Sequence, residues 1–428
     1  MKSLNRLRIL LVVDDYGRID SYGGGDIIAQ TLCAGLRGRG HQVDVACCQS
    51  AVSAMSADRR IHKTFTAKCI WRRATLARML VITLADLGRW GVLLRRVRPH
   101  VVYCLHQSGL SIPAITAINR TAVPKVYRFG HEWVRLHYYA DKCVWTRFWE
   151  RRWGGWLLGA AHAGSRRILS YLVPTTRRRL AIEQAVFNSH DLVERYRRFL
   201  SPATRCYVLP NAVDTRVFTQ HPRGNDRPRR LVFVGRLVPH KGVHTLIRAF
   251  ALLRDEEGTR DLTLTIVGAS TNNVCVKGLR ALAMELAVSD SIEWVGGVHH
   301  LGVAKYLHDS DLFVFPSTTR GPGVTVEGCP SALLEAMAVG LPVVARLGPG
   351  VDEVVRDGET CVGVRSDLPR DLADAIRLAI DSQGLRRLIV ANGLRAVQRN
   401  HSLDGMLDAT ERVLIRAAAE NRAPRATE

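Results

Sequence analysis

Two glutamates separated by seven residues, Glu327 and Glu335, stand in the stretch EGCPSALLEAMAVGLPVVA. Pro330 and Ser331 read as the start of a helix. With Ser331 as the cap, the capping-box position falls on Leu334, one short of Glu335. Glu335 therefore does not serve the helix end, and a carboxylate among Ala, Leu and Met needs a partner to compensate its lost hydration. Upstream, VFVGRLVPHKGVHTLIRAF carries two cations, Arg236 and Lys241, close to the start of a second helical pattern. Cations there oppose the helix dipole, so an anion held between them makes better physical sense than two solvated side chains. His131 follows the apolar run Lys125–Phe129, and Gly23, Gly24 and Gly25 form a cluster whose backbone amides can approach a phosphate closely.

Other chemistries are excluded by spacing. None of the glycine-containing stretches GGGDII, GPGVTV and GPGVDE completes G-x-G-x-x-G, so a dinucleotide cofactor is not expected, and there is no P-loop. His131, Glu132 and His137 do not have the i, i+4 histidine spacing of a zinc protease. The ten cysteines are scattered without a Cys-x-x-Cys pair, which points away from a zinc site or a disulfide framework and toward a reducing cytosol. No metal ligand set is expected.

The elements that must hold these residues are legible as an alternation of strands and helices. Apolar runs at Leu7–Val13, Gln42–Cys48, Val101–Leu105 and Lys125–Phe129 alternate with helical patterns, the first of them about Ile27–Leu36. After a polar, proline-containing stretch, LPNAVDTRVFTQHPRGNDRPRR, a second series begins: LVFVG, LTLTIVG, SIEWVGG, LFVFPS and LPVVARL. Such alternation predicts parallel sheets covered by helices, hence an α/β protein of two doubly wound domains. The 428 residues exceed what one core usually supports. The expected division is a first domain over 1–208, a linker over 209–230, a second domain over 231–400, and a C-terminal helix and tail over 401–428. The N-terminal apolar run ends at Asp14 and Asp15 without a cleavage site, so a first strand is expected there rather than a signal peptide. No run approaches the length of a transmembrane helix.

Taken together, these motifs resemble glycosyltransferase family 4, whose members are retaining enzymes of the two-domain GT-B fold with a Glu-x7-Glu motif. The resemblance implies that Glu335 hydrogen-bonds the donor ribose, that Glu327 lies near the donor sugar, and that Arg236 and Lys241 sit at the donor diphosphate. Two fixed cations would stabilise the charge of a departing nucleoside diphosphate without a metal or other cofactor. Gly24 and Gly25 are similar to the family's glycine-rich loop, and YRFGHEWVRLHYY to the strand end that carries a cleft histidine, here His131. YVLPNAVDTRVF is similar to the family's linker signature with Ala212 in place of glycine, and PGVDEVVRDGETCVGV to its Gly-x-x-Glu segment, Gly350 and Glu353, with Cys361 where glycine is usual. FNSHDLVERY, with Asn188 and Ser189, resembles the pattern before the linker. The match is specific from about Leu209 to Val364 and weakest over 51–100 and 140–180, where acceptor recognition would be encoded.

A net charge of +22 calls for an anionic partner. WRRATLARMLVITLADLGRWGVLLRRVR and WTRFWERRWGGWLLGAAHAGSRRILSYL combine Arg, Trp and Leu as an anionic membrane surface would require. Solvated arginine faces on ordinary helices are the plain alternative, and nucleic acid is the less favoured partner. The expectation is a cytoplasmic glycosyltransferase of envelope or exopolysaccharide assembly, peripheral on the inner face of the plasma membrane. Its co-substrate would be a nucleotide-diphosphate sugar and its acceptor a glycan, a lipid-linked species or a small molecule. The alternatives are a sugar-nucleotide epimerase of the same fold, a pyridoxal-dependent glycan phosphorylase, and a non-catalytic protein that keeps the fold to bind an anionic surface.

Overall fold

The structure, a computed structural model, describes residues 6–14, 16, 24–48, 58–131, 182–221, 227–270, 273–318 and 328–420. Two all-parallel sheets organise it. The first has seven strands: β1 (Arg8–Val12), β2 (Gln42–Cys48), β3 (Ile61–Phe65), β4 (Val101–Cys104), β5 (Lys125–Phe129), β6 (Gln184–Phe187) and β7 (Arg205–Val208), in the order β3-β2-β1-β4-β5-β6-β7. The second has six: β8 (Arg230–Val234), β9 (Thr263–Val267), β10 (Ile292–Gly296), β11 (Leu312–Phe315), β12 (Val343–Arg346) and β13 (Val362–Val364), in the order β10-β9-β8-β11-β12-β13.

Covered on both faces, the central strands are apolar throughout rather than alternating. Ile9, Leu10, Leu11 and Val12 are all buried, as are Leu312, Phe313, Val314 and Phe315. In each sheet the strand order reverses beside the first strand: Ile9 pairs with both Val43 and Val101, and Leu231 with both Leu264 and Leu312. A crevice opens outside the carboxyl ends of the strands at such a reversal, and ligands of open α/β sheets bind there.

The connection between the sheets is more than a tether. Asn211 donates to the Cys329 carbonyl at 2.7 Å, its own carbonyl accepts from His401 Nδ1 at 3.0 Å, and its side-chain oxygen accepts from Arg128 at 3.2 Å. One linker residue thus touches the first sheet, the second domain and the start of the C-terminal helix. That helix, Leu403–Glu420, returns to the first domain, where Met406, Leu407, Val413, Leu414, Ala417 and Ala418 enter the core around β4, β5 and the helix Gly24–Gly38. Arg39 pairs with Asp408 and Glu411 to fix it against the turn after the helix Gly24–Gly38. The structure departs from the sequence reading in finding three further strands of the first sheet, β3, β6 and β7, and one of the second, β13.

Candidate active site

A cleft of about 550 Å³ lies where the carboxyl ends of the two sheets face each other. The first domain contributes Asp14 after β1, Gly25 at the start of the helix Gly24–Gly38, His106 after β4 and His131 after β5. From the second domain come Arg236 after β8, Lys241, His300 and Glu335. The structure therefore brings Gly25, His131, Arg236, Lys241 and Glu335 to one cavity, with Gly24 beside them in the helix that begins there. Glu327 and Gly23, also singled out in the sequence, lie outside the described residues, as does the stretch 145–172.

Glu335 occupies the helix Ser331–Ala338, whose N-cap is Pro330. Ser331 is the first helical residue, not the cap, because proline supplies the extended conformation before the turn and Ser331 makes no capping bond. The capping-box position moves with it to Leu333, so Glu335 is still not spent on the helix end. Glu335 is 5% exposed. The required partner is His300, whose Nε2 donates to Oε1 at 2.9 Å while the ring packs 5.2 Å from that of Phe218. Sequence reasoning missed His300 because the contact joins two helices 35 positions apart.

Arg236 and Lys241 flank a tight turn. Lys241 ends the 3-10 turn Pro239–Lys241, its ammonium 5.5 Å from the centre of the Phe315 ring. Gly242 then opens the helix Val243–Arg254 with φ +69, and a Cβ there would lie 2.0 Å from the Pro316 carbonyl oxygen. Only glycine fits both the left-handed backbone and that approach. Arg236 is exposed, and among the described residues its guanidinium makes no hydrogen bond or ion pair. An arginine left unpaired in a cleft beside the N-terminus of a twelve-residue helix is suited to a phosphate group.

Histidines dominate the first-domain wall. His131 Nε2 lies 2.9 Å from His106 Nε2, and His106 Nδ1 lies 2.8 Å from Asp14. His106 was not singled out in the sequence, and Asp14 figured only as the end of an apolar run. Position at a strand's carboxyl end was the signal that both offered. Asn188, after β6, is buried and closes the cleft against the second domain: a Cβ on Gly328 would fall 2.2 Å from its Oδ1. Ser189 caps the helix His190–Tyr196, and Glu353 of the second domain accepts the His190 and Asp191 backbone amides at 2.7 and 2.9 Å. Glu353 is thus an inter-domain strut.

Cys361 causes no break in its turn. Gly358, at φ +70, supplies the left-handed residue, and Asp357 accepts from Gly363 N at 2.7 Å. Burial pushes the Cys361 thiol up to about 12, so it behaves as a small apolar side chain. Among the described residues no group of three or more His, Cys, Asp or Glu is placed to hold a metal ion, and no helix is long and apolar enough to cross a membrane.

Comparison with known proteins accords with this geometry. Residues 22–217 match the family model described as Glycosyltransferase Family 4, and residues 216–395 the model described as Glycosyl transferases group 1. The chain is 33% identical over 229 residues to the GDP-mannose-dependent alpha-(1-6)-phosphatidylinositol monomannoside mannosyltransferase of Mycolicibacterium smegmatis, covering 48% of this chain and 59% of that protein. It is 32% identical over 228 residues to the D-inositol 3-phosphate glycosyltransferase of Geodermatophilus obscurus, covering 50% and 48%. The chain spans about half the length of the curated relatives it matches. The crystal structure of Anabaena HepE in complex with UDP and glucose superposes with a TM-score of 0.66 at 16% identity, covering 95% of this chain and 99% of that one.

Proposed function

We propose, from the premise that the chain belongs to glycosyltransferase family 4 and is a glycosyltransferase of the GT-B fold, that it moves a sugar from a nucleotide-diphosphate donor to a glycan, lipid-linked or small-molecule acceptor, with retention of anomeric configuration. The observation that carries the donor half is the meeting of an unpaired Arg236, Lys241 and the buried carboxylate Glu335 in one cleft. Departure of the nucleoside diphosphate builds charge on phosphate oxygens. The amides opening the helix Val243–Arg254 are fixed before that charge appears, so little reorganisation accompanies their share of its stabilisation, and Arg236 and Lys241 supply the cationic charge. Glu335, with one oxygen engaged by His300, has acceptor capacity remaining for the ribose hydroxyls. Glu327 is assigned to the donor sugar, and His131 to the face where acceptor meets donor. Closure of the domains would exclude water, which competes with the acceptor for the donor. No metal or other cofactor has a step in this reading.

The acceptor side is proposed to work against an anionic membrane. In the helix Leu76–Val97, Met79, Thr83, Asp86, Trp90, Leu93 and Val97 are buried, yet the opposite face is also apolar: Val81, Leu84 and Val92 are 65%, 53% and 57% exposed. Arg72, Arg73, Arg78, Arg95 and Arg96 are exposed at its two ends. An apolar stripe between arginines suits a helix lying in the head-group plane.

A thermal-shift panel of UDP, GDP and ADP sugars tests the donor half before any acceptor is known. One nucleotide series should raise the melting temperature, since a ligand that binds only the folded state stabilises it. If none does at millimolar concentration, the donor assignment is wrong.

A further inference from the structure

Past Asn211 the linker stays hydrogen-bonded as it enters the second domain. Val213 N donates to the His401 carbonyl at 3.0 Å, and Val217 N and Phe218 N both donate to the Asp214 carbonyl, at 3.0 and 2.9 Å. The turn closed in this way leaves Phe218 1% exposed, inside a core of the second domain.

Two helices share that core with Phe218. His300–His308 contributes Val303 and Leu307, and Ser331–Ala338 contributes Leu333, Leu334 and Met337. The residues after Phe218 tie the same two helices through the main chain. His308, the last residue of the first helix, donates from Nε2 to the Thr219 carbonyl at 3.0 Å. His221 N donates at 3.2 Å to the carbonyl of Val339, the C-cap of the second. Linker residues 218–221 thus bind together the helix that begins at His300 and the helix that carries Glu335.

The two side chains of the His300–Glu335 pair are unequally covered, at 25% and 6% exposed. A partly exposed imidazole at the first position of a helix can turn toward water, and packing of its ring against another opposes that rotation. The Phe218 ring, its centre 5.2 Å from that of His300 and inclined at 48°, is the packing partner. With His300 held, one oxygen of Glu335 is engaged and the other is oriented. Were His300 released, the carboxylate could rotate about its last bond, and its orientation would have to be regained each time a ligand bound.

We propose that Phe218 is a positioning residue for the donor ribose: it holds the His300 ring against Glu335 and so fixes the carboxylate that the ribose hydroxyls meet. The role in donor binding rests on the assignment of Glu335 to the ribose made above, whereas the packing of the linker against the two helices stands on its own. The segment that joins the domains then also takes part in recognising the donor.

The test compares UDP, GDP and ADP with their 2′,3′-dideoxy counterparts by titration calorimetry on the full-length protein. The ratio of the two affinities isolates what the ribose hydroxyls contribute, and partial loss of the fold would lower both alike. For the nucleotide that binds, the unaltered protein should favour the ribose form by about 10- to 100-fold, the scale of hydrogen bonds to a charged group. Phe218→Leu keeps an apolar side chain and removes the ring. It should narrow the ratio by about 3- to 10-fold, the scale of ordering one side chain on binding, with affinity for the dideoxy form little changed. His300→Ala should do the same, and, being partly exposed, this position serves if Phe218→Leu does not fold. A ratio kept or widened in either folded variant, while Glu335→Gln narrows it, would overturn the positioning role and leave the ribose assignment standing. A ratio kept in Glu335→Gln, or no preference for ribose in the unaltered protein, would overturn the ribose assignment and the proposal with it.

Discussion

His300 Nε2 donates to Glu335 Oε1 at 2.9 Å, so the buried acid is held by a histidine from another helix. Removing the donor and removing the charge should therefore separate. His300→Ala leaves a buried carboxylate without its partner and should cost about 1 to 3 kcal/mol of stability, together with weaker nucleotide binding. Glu335→Gln keeps an acceptor for His300 and should lose UDP or GDP affinity with little change in the unfolding midpoint. Urea unfolding and titration calorimetry read the two effects, and equal behaviour of the two variants would contradict the division.

Arg236 is exposed and Lys241 half-buried, so neither is needed for the fold. Lys241→Ala and Arg236→Ala should each lower turnover by about 10² to 10³, the scale of losing one preorganised stabilising group. Melting temperature without ligand should stay within a degree or two. A folded Lys241→Ala enzyme with an unchanged rate would remove Lys241 from the mechanism.

Asn211 is where the first sheet, the second domain and the C-terminal helix meet. Asn211→Ala deprives the Cys329 carbonyl and the Arg128 guanidinium of a partner, and should destabilise the protein by about 1 to 3 kcal/mol. Calorimetry should show the transition broadened or split, because the two domains lose a shared element. A single sharp transition at the original temperature would show that the junction is held elsewhere.

His401 makes this junction pH-sensitive. Burial lowers its proton affinity below the ordinary imidazole value, outweighing the hydrogen bond to the Asn211 carbonyl, which acts the other way. As pH falls, the unfolded chain takes the proton first. The contribution of His401 is therefore fully present above pH about 6.5 and declines as pH drops from there toward the lower folded value. His244 is shifted in the same direction by burial and Arg248, so the informative quantity is a difference. Between pH 7.5 and 5.5 the urea midpoint of His401→Asn should fall less than that of the unaltered protein. Parallel curves would assign the pH dependence to other groups.

The apolar stripe on Leu76–Val97 can be made polar without touching the core, since Val81, Leu84 and Val92 point outward. Leu84→Ser with Val92→Ser should weaken partitioning onto anionic vesicles by about 10²-fold or more, as roughly 1.5 to 3 kcal/mol of transfer energy is lost for each buried side chain. Thermal stability should not fall. Vesicle binding that is absent in the unaltered protein even at low salt would end the membrane proposal.

What the sequence made legible follows from how each element is buried. The strands β8, β9, β11 and β12 read as apolar runs because helices cover both faces. IHKTF of β3 and RCYV of β7 did not, because each lies at a sheet edge and is partly exposed. Three-residue VGV of β13 is too short to show a period. At the site, a need can be read where a partner cannot: Glu335 among apolar residues demanded a donor, but only the packing of two helices could name His300. His106 and Asp14 are 92 positions apart and become neighbours through strand order alone.

The return of Leu403–Glu420 to the first domain sets the order in which the protein can be finished. The ribosome releases β1 through β7 early, yet Met406, Leu407, Val413 and Leu414, which complete the core around them, emerge only after the whole of the second sheet. The second domain can thus close its core first, while the first waits with an apolar face uncovered. A stop codon near residue 400 would spare the second domain and injure the half made first.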